Sequence, residues 1–249
     1  MALPTSHRLQ DVAKWFVNRV GGDEKQEQLV NNILTLCAQE RKPLRFGSIC
    51  SGTDSIVAVL ASLQKVLGDM VQIRHVFSCE FDAKKRQWIR DNFPDLQLLF
   101  GDVNDLRNGE AMNYITNEMA EVPAVDIVVA GFVCKSVSTE NNNRQDFSNC
   151  INEESGKTGE TFGGMMAYIA KYKPSMVVCE NVRGISMWNN GAEPVIIHVE
   201  QKFVQAGYSF NHQILDARQY LLPQRRNRCW MWAFLNDQDG QAAANTAML

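Results

Sequence analysis

The sequence predicts an α/β domain with a mostly parallel sheet covered by helices on both faces. Short, nearly continuous apolar runs recur along the chain, the clearest being VDIVVA over 125–130, and amphipathic stretches of helical period separate them. Strands that read as unbroken apolar runs are those buried on both faces. Polar or reactive residues also follow the runs: Gly52, Glu80, Asp102, Cys134 and Glu180 fall at or just after five strand ends. In open α/β sheets, ligands sit beyond the carboxyl ends of the strands. A length of 249 residues suffices for one such domain, with or without a small appendage.

Residues 1–43 read as a polar N-terminal helical segment. Val12, Trp15, Phe16 and Val20 recur at helical spacing, Gly21-Gly22 interrupts them, and Leu29, Ile33, Leu34 and Cys37 form a second stripe before Pro43. The main domain, 44–235, opens with a strand over 44–50 and the turn Ser51-Gly52-Thr53-Asp54. A helix over 55–67 follows, with Ile56, Val59, Leu60, Leu63 and Leu67 on one face. A strand over 73–79 ends at Glu80 and precedes a helix over 83–92. A third strand, 96–100, ends at Gly101-Asp102. Residues 110–120 carry Met112, Ile115 and Met119 at helical spacing and predict a helix. The strand over 125–130 runs into Gly131-Phe132-Val133-Cys134, and the Asn- and Ser-rich stretch 139–158 predicts a mobile loop. A helix over 161–172, a strand over 176–179 ending in Glu180-Asn181, a helix over 193–206 and strands over 209–215 and 229–235 complete the domain. Trp230 and Trp232 fit the core of the last strand, and the tail 236–249 predicts disorder.

Composition narrows the function classes. Hydrophobic residues at 45% and charged residues at 21% are ordinary for a soluble globular protein. No stretch approaches the roughly 20 apolar residues of a membrane span, and the first residues lack a signal-peptide run. An intracellular protein without a membrane partner is expected. Seven cysteines, an odd number without a CxxC pair or a His cluster, argue against a disulfide framework and against a metal site. A net charge of −3 is unlike the basic balance common in nucleic-acid binders, although Arg218, Arg225, Arg226 and Arg228 cluster.

The strand ends carry the chemistry. A small-residue turn after the first strand lets a ligand approach the backbone and the next helix N-terminus. Glu80 is suited to ribose hydroxyls and Asp102 to an exocyclic amine, which fits an adenosine-bearing cofactor. It does not fit a pyrophosphate, since GxGxxG and GxxxxGK[ST] are absent. Taken singly, each acid reads equally well as a helix cap. Cys134 follows a buried strand and opens a polar loop, a position from which cysteine can act as a nucleophile, whereas Cys79 and Cys179 read as core. Alone, Arg225, Arg226 and Arg228 read as a solvated turn. His75, His198 and His212 lack partners in the pattern and receive no role.

Together these segments resemble the DNA cytosine-C5 methyltransferase family over about 44–235. Gly131–Ser138 (GFVCKSVS) resembles its GFPCQxFS motif, Glu180–Gly184 (ENVRG) its ENVxG motif and Gln224–Arg228 (QRRNR) its QxRxR motif. Cys50–Asp54 (CSGTD) looks like its FxGxG motif, and Gly159–Phe162 (GETF) resembles RGxLF. Glu80 and Asp102 stand where the family has its ribose and adenine acids. The resemblance implies a Rossmann-like S-adenosylmethionine-dependent methyltransferase fold that uses S-adenosyl-L-methionine to methylate cytosine C5 in DNA. It implies catalytic roles for Cys134, Glu180, Arg226 and Arg228. It implies cofactor contacts from Cys50, Ser51, Gly52, Thr53, Glu80, Phe81, Asp102, Val103 and Thr161, and nucleic-acid contacts from Ser138, Asn181 and Gln224.

Departures are specific. Val133 replaces the proline before the family's cysteine and Lys135 the glutamine after it. Cys50 replaces the phenylalanine of FxGxG and Asp54 its second glycine. A target-recognition domain is expected from a further domain or chain, because about twenty residues follow Arg228. Three other readings stay open at this point: methylation of transfer RNA, a catalytically silent homologue acting as a regulatory subunit, and a fragment of a longer polypeptide.

Overall fold

The computed structural model describes residues 14, 18, 23–40, 42–67, 71–138, 149–188, 193–220 and 223–236. The expected stripe Val12, Trp15, Phe16 and Val20, the first half of the predicted loop, 139–148, and the tail from 237 lie outside the described residues.

The elements follow in chain order as α1 (Glu24–Glu40), β1 (Leu44–Ile49), α2 (Ser55–Leu67), β2 (Ile73–Cys79), α3 (Ala83–Asn92), β3 (Leu99–Phe100), β4 (Glu110–Asn113), β5 (Glu118–Glu121) and β6 (Ile127–Ala130). Then come α4 (Gly156–Tyr172), β7 (Met176–Val182), α5 (Val195–Gln205), β8 (Tyr208–Asp216) and β9 (Asn227–Leu235). Seven strands form one sheet in the order β3-β2-β1-β6-β7-β9-β8. β9 pairs antiparallel with both β7 and β8, and the other neighbours are parallel. The chain builds outward from β1 to β3 and then returns to set β6 on the other side of β1. That reversal opens the crevice in which such sheets bind ligands.

Periodicity explains the layers. α4 turns Phe162, Met165, Tyr168 and Ile169 into the core, and α5 does the same with Val195, Ile196, Val199 and Phe203. Both join a main cluster with Ile49, Phe77, Val128, Val177 and Met231. Val30, Ile33 and Leu34 of α1 share a second cluster with Leu44, Val71, Met176, Trp232 and Phe234, so the N-terminal helix lies against the sheet. Trp232 belongs to the core as the sequence suggests. Among the described residues no helix is long and apolar enough to cross a membrane.

Four local readings are corrected. Residues 110–120 form the hairpin β4–β5 rather than a helix, with Met112 opposite Met119. A seven-residue spacing is two helical turns, but it equally pairs positions across a hairpin with a four-residue turn. The buried residues here, Ala111 and Asn113, alternate with exposed ones as in a strand. The third strand is limited to Leu99–Phe100, and α4 begins five residues earlier than 161, inside the predicted loop. β7 continues past Cys179 through Val182, so Glu180 and Asn181 are ladder residues opposite Trp230 and Cys229.

Candidate active site

The turn after β1 is built from three residues with positive φ: Cys50 (54°), Gly52 (60°) and Asp54 (55°). Only Gly52 adopts this region without cost, so the other two are held by their surroundings. Ser51 supplies part of the hold. Its hydroxyl lies 2.6 Å from that of Ser48 and accepts from the Cys79 amide at 3.2 Å, tying the turn to β2. The Gly52 amide donates to Glu80 Oε2 at 2.7 Å, and the Asp82 amide to Glu80 Oε1 at 2.9 Å. Glu80 is thereby fixed across the crevice mouth by two main-chain donors. Asp102 accepts from the amide and side chain of Asn104, both at 2.9 Å, and caps the 3₁₀ turn that follows.

The open space is at the same edge. A Cβ added to Gly52 would meet nothing within 4 Å, and one on Gly131 nothing nearer than the Cys50 carbonyl at 3.6 Å. Phe81 is 74% exposed beside it, and Thr53 is exposed. Burial, then the carboxylates of Glu80 and Asp102, push the Cys50 thiol up to about 12. Glu80 and Asp102 place two carboxylates at this end of the sheet, with the Lys85 ammonium 4.0 Å from Glu80 Oε1. Val103 is buried in the core, and the Thr161 hydroxyl donates to the Lys157 and Thr158 carbonyls of its own helix at 2.8 and 3.2 Å.

The other half of the edge is formed after β6 and within β7 and β9. Cys134 heads a tight turn in which its carbonyl accepts from the Val137 and Ser138 amides at 3.1 and 2.9 Å. Thr158, fully buried, accepts from the Ser136 amide at 3.1 Å and anchors this turn to α4. Sequence reasoning missed Thr158, which stands outside every motif; its polarity in the first turn of an otherwise apolar helix face was the available signal. Asn181, expected at the nucleic-acid surface, is instead buried. Its side chain donates to the Phe132 carbonyl at 3.1 Å and accepts from the Val182 amide at 2.8 Å. It is a strut between β7 and the segment leading to Cys134.

Glu180 faces the same side of the sheet as Arg228. Arg228 Nε lies 2.8 Å and Arg226 Nη2 3.9 Å from Glu180 Oε1, so both guanidinium groups share one oxygen. Arg226 is half exposed, and Gln224 and Arg225 are exposed in the turn before β9. Asp216 secures that turn, accepting from Arg218 Nε and Nη2 at 3.0 and 2.7 Å and from the Arg226 amide at 3.3 Å. Ser138 is half-buried at the end of the Cys134 turn.

With this strand order and this reversal, the fold is the Rossmann-like one of S-adenosylmethionine-dependent methyltransferases. Solved structures share it: Schizosaccharomyces pombe Dnmt2 methyltransferase (TM-score 0.53, 16% identity, covering 80% of this chain and 51% of that one) and Entamoeba histolytica methyltransferase EhMeth (TM-score 0.55, 12% identity, 79% and 54%). The chain belongs to the C-5 cytosine-specific DNA methylase family, whose profile matches residues 44–247. It is 32% identical over 197 residues to the DNA (cytosine-5-)-methyltransferase DMT5 of Cryptococcus neoformans, covering 77% of this chain and 8% of that protein. It is 27% identical over 163 residues to the type II methyltransferase M.HaeII of Haemophilus aegyptius, covering 66% of this chain and 44% of that one. The chain thus spans less than half of either curated relative.

C-5 cytosine methyltransferases use S-adenosyl-L-methionine, and the residues present fit it. The opening between Gly52 and Gly131, the fixed Glu80 carboxylate, Asp102 and the exposed Phe81 ring would hold its adenosine.

Proposed function

We propose that this chain methylates C5 of cytosine in DNA through a covalent bond between Cys134 and C6 of the base. The observation that carries the reading is the ion pair of Glu180 with Arg228 at 2.8 Å, joined through Asn181 to the segment ahead of Cys134 at 3.1 Å. The name of one curated relative, DNA (cytosine-5-)-methyltransferase, favours DNA.

S-adenosylmethionine supplies the methyl group when bound. The chain's own residues make C5 reactive. The Cys134 thiolate adds to C6, and the electrons of the C5–C6 double bond shift toward C5. Glu180, with both arginines on Oε1, keeps Oε2 for the N3/N4 edge and holds the ring proton at N3 as charge moves. Arg226 is exposed enough to meet the base oxygen or a flanking phosphate, which a forked guanidinium suits. Once C5 carries the methyl group, loss of its proton and cleavage of the sulfur–C6 bond restore the aromatic ring and free the thiolate. The base must leave the duplex stack to reach this edge, at a cost of about a few kcal/mol.

The test is transfer of labelled methyl from S-adenosylmethionine to duplex DNA and to transfer RNA, beside Cys134→Ala. Label in DNA cytosine that vanishes in the variant is expected. Label only in RNA would move the substrate, and label that survives Cys134→Ala would overturn the covalent route.

A further inference from the structure

Beneath the turn after β1 lies a polar cluster that no step above uses. Asp54 is fully buried although it is charged at its ordinary ionisation. Its Oδ2 accepts a short hydrogen bond from the Ser78 hydroxyl and lies 3.7 Å from His75 Nε2. Ser78 Oγ is itself 3.0 Å from His75 Nε2, which also reaches the Phe77 carbonyl at 3.1 Å. One set of proton positions satisfies all three groups: His75 carries its proton on Nε2 and gives it to Ser78 Oγ and the Phe77 carbonyl, and Ser78 gives its own to Asp54. Asp54 Oδ1 is enclosed without a well-formed hydrogen bond, although the Ser48 hydroxyl nearby helps to hold the charge. Burial pushes the Asp54 carboxyl up and the His75 imidazole down.

The cluster exists because β2 is irregular. Residues three apart on a regular strand face opposite sides of a sheet. Between β1 and β2 the register runs Phe46 to His75 and then Gly47 to Phe77, so Val76 is an extra residue. That bulge returns Ser78 to the side of His75. Phe46 then stacks on the His75 ring at 4.6 Å, and Phe93 meets its edge at 6.5 Å, which fixes the ring's orientation.

Asp54 also closes the turn. Its amide donates to the Ser51 carbonyl at 2.7 Å, its carbonyl accepts from Val57 in the first turn of α2 at 3.0 Å, and its φ is positive. The side chain therefore pins from below the backbone that carries Gly52, whose amide in turn holds Glu80. We propose that Asp54, Ser78 and His75 form a positioning device for S-adenosylmethionine, holding the Cys50–Asp54 turn in its left-handed path. The proposal rests on the reading of this turn as the cofactor's seat. A glycine at position 54 would reach the same φ freely but leave nothing anchored below, so here a buried carboxylate replaces backbone freedom with a fixed attachment.

The experiment is calorimetric titration of S-adenosylmethionine into the wild type, Asp54→Asn, Ser78→Ala, their double variant and Ser78→Thr, with Tm recorded for each. Phe203→Leu, in the core on α5, serves as a destabilised reference. Asp54→Asn and Ser78→Ala should each weaken binding about tenfold, or about 1.4 kcal/mol. The double variant should be no weaker than the worse single one, as expected of groups acting as a unit. Ser78→Thr, which keeps the hydroxyl, should bind as the wild type does, and Phe203→Leu should lose Tm without losing affinity. Ser78→Ala removes a single oxygen and keeps the test usable if Asp54→Asn does not fold. Asp54→Asn or Ser78→Ala binding within about twofold of the wild type, additive losses in the double variant, or equal weakening in Phe203→Leu would overturn the proposal. Failure of the wild type to bind would overturn the cofactor seat and the proposal with it.

Discussion

Asn181 reaches across from β7 to donate to the carbonyl of Phe132, two residues before Cys134, at 3.1 Å. The bond joins the strand bearing Glu180 to the segment bearing the nucleophile, and both partners are buried. Asn181→Ala leaves that carbonyl unpaired, a cost of about 1–3 kcal/mol. Methyl transfer should fall more than cofactor affinity does, because Glu80 and the β1 turn are untouched. Single-turnover rates set beside cofactor titration would check the split.

Gly159 and Gly131 should respond to alanine in opposite ways. A Cβ at Gly159 would meet the Cys150 carbonyl at 2.1 Å and backbone of Glu154 at 2.8 Å, neither of which can yield cheaply. Gly159→Ala should lose about 1–3 kcal/mol or more of stability, read as a drop in Tm. Gly131→Ala meets only the Cys50 carbonyl at 3.6 Å, so Tm should hold while S-adenosylmethionine affinity falls as the methyl group fills the opening.

Arg228→Lys should reduce single-turnover methyl transfer about a hundredfold, and Arg226→Lys less. Arg228 contacts Glu180 through Nε at 2.8 Å and is mostly shielded, whereas Arg226 is half exposed at 3.9 Å. A lysine ammonium lacks the rigid fork that holds the carboxylate in one orientation. Equal losses in the two variants would argue against this ranking.

Acid should spare the turn before β9 for an unusually long interval. The hydrogen bonds from Arg218 hold Asp216 down to about 2. A carboxyl depressed in the folded state contributes its stabilisation above the ordinary carboxylate range and loses it as pH falls through the folded value. The Arg226 amide, which donates to Asp216, should therefore stay protected from hydrogen exchange below pH 4, and Asp216→Asn should abolish the acid dependence of that protection.

The sheet was legible because its strands are apolar runs with turn residues after them, and the chemistry was legible because it stands at those strand ends. Cys134 follows that rule; Glu180 lies inside β7, and Arg228 reaches the same edge because β9 runs antiparallel to β7. What escaped depends on pairing, which one chain segment does not encode by itself. The spacing of Met112 and Met119 fits two helical turns and a hairpin equally, and the choice is made by the burial of Ala111 and Asn113 against their neighbours. Glu180 reads as a strand terminus until β9 supplies Trp230 opposite it. His75 and Ser78 read as facing apart, and a single extra residue, Val76, reverses that. Asn181 and Thr158 look like surface polar residues and are buried struts.

The seam between β1 and β6 is short: four residue pairs, from Phe46 with Ile127 to Ile49 with Ala130. In the proposed reading, the turn that would seat the methyl donor follows β1 and the segment bearing Cys134 follows β6. The separation that a methyl group would cross is then set in part by four rungs of a parallel ladder. Reactivity of this kind falls steeply with misplacement, about a hundredfold for an ångström. Under that reading, residues in the middle of the sheet would act as the ruler of the reaction, and a bulky substitution there would slow transfer while leaving both binding steps intact.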